Sequence, residues 1–155
     1  MYNIFLTLHS LLRWVILILL VVNIIRHFSA LSKPFTAMDK KLGLWLMISA
    51  HITLLIGLYQ YFAGDLGFSL IQSSGFAAVM KDDAARFWAV EHIFGMIVAI
   101  ILITIGKGVA KKNISDNAKH KRSAWIFLIA FLIIMLTIPW PWRAGIGRPL
   151  LPGMH

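Results

Sequence analysis

Apolar and polar positions fall in long blocks along this chain. Four apolar runs dominate it: Ile4 to Ile25, Leu42 to Phe62, Phe87 to Ile105 and Ala124 to Ile138. An α-helix rises 1.5 Å per residue, so about 20 such residues cross the ~30 Å hydrocarbon core of a bilayer. The fourth run is short, and its spanning part is expected to extend through Pro139-Trp140-Pro141-Trp142, which sets a tryptophan pair at headgroup level. The first run has no basic residue before it and is longer than the apolar core of a signal peptide, so it is expected to be a retained helix. The pattern predicts an all-α fold, an integral membrane up-and-down four-helix bundle in a single domain over 1–155, with helices over about 4–25, 42–62, 87–105 and 124–142.

The connections differ in charge. Arg26 to Lys41 carries four bases (Arg26, Lys33, Lys40, Lys41), and Gly106 to Ser123 carries six (Lys107, Lys111, Lys112, Lys119, Lys121, Arg122). Ala63 to Arg86 has only Lys81 and Arg86, against Asp65, Asp82 and Asp83. The positive-inside rule then puts the first and third connections in the cytoplasm and both chain ends outside. The middle of the long connection, Leu66 to Met80, is partly apolar but too short and polar to span. It is expected to be an interfacial segment between helices 2 and 3, folded over the bundle.

Composition agrees with a bilayer. Hydrophobic residues make up 59% and charged residues 14%, where soluble domains hold about 45–50% and about 25%. The net charge of +9 does not imply nucleic acid, because the bases lie in the connections and not along one stripe. With no cysteine, thiolate metal sites, iron–sulfur clusters and covalent haem attachment are excluded.

Ionisable residues inside the runs are costly in hydrocarbon and face the bundle interior as a rule. They are His9, Arg13, His51, Glu91 and His92. His9 and His92 each lie about 7–8 Å from the outer boundary, and His51 about 12 Å, by counting residues at 1.5 Å. The three histidines are therefore expected in one layer of the outer leaflet.

Three readings follow. Two imidazoles from diagonal helices are the axial ligands of a b-type haem. His9 and His92 are that pair, with His51 as the alternative axial ligand or a partner of a propionate or quinone oxygen. Gly95 and Ala99 lie on the face of His92 and either leave room for a ring edge or mark a close helix contact. Alternatively, His9, His51, His92 and Glu91 bind copper or zinc. In the third reading the polar groups only satisfy one another, in a non-catalytic accessory subunit of a membrane complex. Arg13 pairs with a propionate or with Glu91, and Glu91 otherwise orients an imidazole. Arg86 and Arg143 are surface arginines or propionate partners. Met96 reads as a core residue before a soft ligand, and His27 and His120 as solvated loop histidines. His155 is the chain terminus and carries no weight. No nucleophile triad, phosphate loop or carboxylate pair points to a stand-alone catalyst.

Leu8-His9-Ser10-x-x-Arg13-Trp14, Ala50-His51-Ile52-x-Leu54-Leu55-Ile56-Gly57-Leu58-x-x-Tyr61, Glu91-His92 and Ile103-Thr104-Ile105-Gly106 occur in this order. Together they resemble a family of short bacterial four-helix membrane proteins commonly labelled cytochrome b. The resemblance runs from the first helix to Pro139-Trp140. It implies haem b held among His9, His51 and His92 and a bacterial membrane protein. The leading expectation built on it is single-electron transfer in the bacterial inner membrane, with a quinone or a redox partner protein, by the chain alone, as a homo-oligomer or in a larger respiratory complex.

Overall fold

The computed structural model describes residues 1–152, and His155 lies outside them. Helix α1 spans Tyr2–Ser29 and α2 spans Ala37–Ala63. Two short helices follow, α3 (Phe68–Ser74) and α4 (Phe76–Lys81), hinged at Gly75, whose φ of 81° suits a residue without Cβ. A last turn, α5 (Asp83–Arg86), runs through a wide π turn at Phe87–Glu91 into α6 (His92–Gly108). Helix α7 is Asp116–Thr137. No strand occurs among the described residues. Four helices are long and apolar enough to cross a membrane, so the chain is a multi-pass membrane protein.

Local chemistry sets the ends. Helix α2 starts on a capping box in which the Asp39 carboxylate accepts from the Thr36 N–H at 2.7 Å and its hydroxyl at 2.9 Å. Helix α7 starts on Ser115, whose Oγ accepts from the Ala118 N–H. It begins earlier and ends earlier than the sequence expectation of 124–142. Pro139 has no N–H, and its ring obstructs the carbonyl four residues back, so the helix stops at Thr137 and the tryptophans lie beyond it. Its length comes instead from Asp116 through Ser123, where basic residues continue the helix.

Helix α1 packs on α2 and α7, and α6 packs on the same two, so α1 and α6 face each other across the bundle. The expected diagonal pairing of the first and third spans is present. Leu20, Leu46, Ala50, Ala99, Ile103 and Ala130 are fully buried between the four helices. Large apolar side chains such as Ile18, Leu55, Phe94 and Leu136 point outward instead, as lipid contact requires. Lipid is as apolar as leucine, so close contact between small residues holds such helices together. A Cβ on Gly106 would lie 2.6 Å from Phe127 Cε1, and one on Gly95 would overlap the Thr137 methyl. These two glycines, three turns apart, are where α6 and α7 meet.

Both described termini lie at one end of the bundle, the terminal end, and the lysine-rich connections at the other, the basic end. The chain after α7 folds back over the terminal end. Arg148 N–H donates to the Pro139 carbonyl, and the Leu150 carbonyl accepts from Arg13 Nη2 at 2.6 Å and from Trp14 Nε1 at 2.8 Å. Gly147 allows this turn, since a Cβ there would meet three backbone carbonyls within 2.9 Å.

Candidate functional site

At the terminal end, His9 of α1 and His92 of α6 face each other across the diagonal. Their ring centres are 6.4 Å apart and their planes are inclined by 60°. Two imidazoles bound to one metal centre at ~2 Å per bond place their nitrogens about 4 Å apart and their ring centres about 6 Å apart.

The geometry of His92 follows from the prolines beyond α7. In a continuing helix the Thr137 carbonyl would accept from residue 141, and the Met135 carbonyl from residue 139. Both positions are proline and have no N–H. His92 Nδ1 donates to the Thr137 carbonyl at 2.7 Å, and Trp140 Nε1 donates to the Met135 carbonyl at 2.8 Å. The freed carbonyl fixes the His92 tautomer and leaves Nε2 as the ring's lone-pair nitrogen, the usual outer bond of a metal-bound imidazole. Phe87 and Trp88, from the π turn, wall the ring on the other side. The His9 ring lies against α2, where a Cβ on Gly57 would come within 3.2 Å of Cε1. His9 Nδ1 is buried without a hydrogen-bond partner.

The remaining expected site residues do not gather here. His51 is exposed, and its Nε2 lies 3.0 Å from Thr104 Oγ1. That hydroxyl already donates to the Ile100 carbonyl, so His51 Nε2–H is the donor. The expected single layer of three histidines is therefore corrected to a pair. The three are not at one depth: α2 passes the His9 ring at Gly57, so His51 lies six residues, about 9 Å, further toward the basic end. It bonds Thr104, which is twelve residues, about 18 Å, along α6 from His92. Glu91 is exposed and paired with Arg86 at 2.7 Å, not with Arg13 or an imidazole. Arg13 is spent on the tail and on Ser10 Oγ, with its Nε buried and unpartnered. Gly95 leaves no floor for a ring edge, since Thr137 fills that space, and Ala99 is fully buried in the core. Met96 packs against the core, as expected. Arg143 lies over the Phe87 ring and donates to the Leu136 and Ile138 carbonyls.

A second pair lies at the basic end. His27 and His120 are buried, not solvated as expected, with 2% and 0% of their surface exposed. Their Nδ1 atoms are 2.9 Å apart. His120 Nε2 donates to the Pro34 carbonyl at 3.3 Å, so His120 Nδ1 is the acceptor and His27 Nδ1–H the donor. Asp39 lies beside them, paired with Arg26. The pattern was present in the sequence. Ile16, Leu20, Asn23 and His27 form one helical stripe, and so do His120, Ser123, Phe127, Ala130 and Ile134.

Comparison of the chain with family models, with curated proteins and with solved structures finds no match.

Proposed function

We propose that this protein is a membrane b-type cytochrome that binds one haem between His9 and His92 and passes single electrons. One observation carries the reading: two imidazoles from diagonal helices stand 6.4 Å apart centre to centre, the spacing of an axial pair. The donor set fits. His92 holds its Nδ1–H on a backbone carbonyl and keeps Nε2 free, and His9 keeps a buried ring nitrogen without a partner. Haem b bound there supplies one-electron iron chemistry. The protein's own part is to fix both rings, to seal the site with Phe87, Trp88 and the returning tail, and to keep water from its apolar walls.

The location proposed is a bacterial inner membrane, with the site toward the outer side because the basic connections stay in the cytoplasm. The electron partner is a quinone or a redox protein, with the chain alone, as a homo-oligomer or in a larger complex. The alternative of copper or zinc on His9, His51, His92 and Glu91 loses support, because His51 binds Thr104 and Glu91 binds Arg86. An accessory subunit remains the reading if no cofactor binds.

A reduced-minus-oxidised visible spectrum of the purified protein tests this. A Soret band that persists in His51→Ala and vanishes in both His9→Ala and His92→Ala is expected. Absence of any band after haem reconstitution would sink the proposal.

A further inference from the structure

We infer that His27, His120 and Asp39 form a site for one divalent transition-metal ion of the zinc class, at the basic end of the bundle and apart from the His9–His92 pair. One donor atom from each lies within 4.8 Å of the others, and all three residues are buried. Metal bonds of ~2 Å in tetrahedral geometry hold donors about 3.3 Å apart, so binding draws the widest pair in by up to about 1.5 Å. The two Nδ1 atoms need to open from 2.9 Å by about 0.4 Å to reach that separation. The His27 proton then resides on its Nε2, and both Nδ1 lone pairs face the ion.

Outer contacts already orient the donors. The His120 Nε2–H bond to the Pro34 carbonyl is the bond a metal-bound imidazole makes. Asp39 is fixed by Arg26 on Oδ1 and by the Thr36 N–H and hydroxyl on Oδ2. A carboxylate has about four lone-pair positions, so one remains on Oδ1. One turn before His27 on the same face of α1, Asn23 is 1% exposed and its Oδ1 has no partner. Its Nδ2 donates to the Leu19 and Leu42 carbonyls, which fixes the amide and leaves its oxygen a buried acceptor without a donor.

A pocket of about 250 Å³ lined by Arg26, Ser29, Lys33 and Thr36 opens beside Asp39. Two imidazoles and a carboxylate without thiolate select zinc, iron(II) and similar ions over copper(I). A haem does not fit here, because the imidazoles touch and Phe35 lies against both rings. The ion would tie α1, α2 and α7 together where their polar ends meet.

Zinc titration of the chelator-stripped, detergent-solubilised full chain tests the site. One zinc per chain should survive desalting, and its X-ray absorption should fit two imidazoles with oxygen ligands. His120→Gln and Asp39→Asn should each weaken zinc binding about tenfold or more, with any haem band that depends on His9 and His92 unchanged. Folded wild-type protein that retains no zinc would overturn the inference. So would retained zinc without imidazole neighbours, or equal retention in both variants. If a variant fails to fold, the absorption spectrum of the zinc-loaded wild type decides alone. The Soret test is separate, so either site can fail without the other.

Discussion

The two histidine pairs sit at opposite ends of one bundle and share α1, yet they are built differently. His9 and His27 are eighteen residues apart, five whole turns, so they leave α1 in the same direction. At the terminal end His9 meets the diagonal helix, with ring centres 6.4 Å apart and no hydrogen bond between the rings. At the basic end His27 meets a neighbouring helix, with ring centres 5.2 Å apart and the Nδ1 atoms joined at 2.9 Å. Diagonal helices lie farther apart than neighbours, so the same residue stops short of its partner in one place and bonds it in the other. The contact is already a satisfied polar pair that an ion can only enter by displacing a proton from between the nitrogens.

The largest expected effect separates the ends spectroscopically. His92→Ala removes the whole visible band if the terminal pair is axial, while His27→Ala leaves its position and height unchanged. Visible absorbance of the two variants, measured side by side, reads this. The order reverses for stability. His27→Phe leaves the buried Nδ1 of His120 without its donor, which costs about 1–3 kcal/mol. In haem-free protein it should lower the thermal midpoint in detergent more than His9→Phe does, because His9 makes no hydrogen bond through Nδ1 to lose.

Next comes the joint between α6 and α7. Gly106→Ala forces a methyl against Phe127, and overpacking of this kind costs about 1–3 kcal/mol. Loss of helical circular dichroism at a lower temperature is the expected reading, with the spectral band intact at low temperature. The smallest effect belongs to His51→Ala. An exposed side chain bonded to a hydroxyl contributes about 1 kcal/mol or less, and neither a visible band nor bound zinc should change. A lost band in this variant would return His51 to the axial set.

The spans and their order were legible because apolar runs of membrane length have few alternatives. The diagonal facing of His9 and His92 was legible too, from depth and from the short connections of an antiparallel bundle. Depth counting placed His51 in the wrong layer, yet the sequence held a second signal. Ser49, Thr53 and Gly57 form an inward stripe on α2, and His51, two residues before Thr53, lies about 200° round the helix from it. His27 and His120 were misread because the apolar runs end before them, while the helical stripe carries on into the charged connections. Gly95 carried both meanings in sequence, and only the position of Thr137 on α7 decides between room and contact. The Leu150 contact with Arg13 and Trp14 had no signal, since backbone carbonyls look alike in any sequence.

The bond from His92 to the end of α7 also has a consequence for how the site tolerates mutation. Its acceptor is a main-chain oxygen, so the side chain at position 137 can drift without releasing the imidazole. The vulnerable position lies two residues on, at Pro139, whose ring ends α7 and leaves the Thr137 carbonyl without a helical partner. The ring's anchor thus depends on where a helix stops, which is decided by a residue on another element than the histidine.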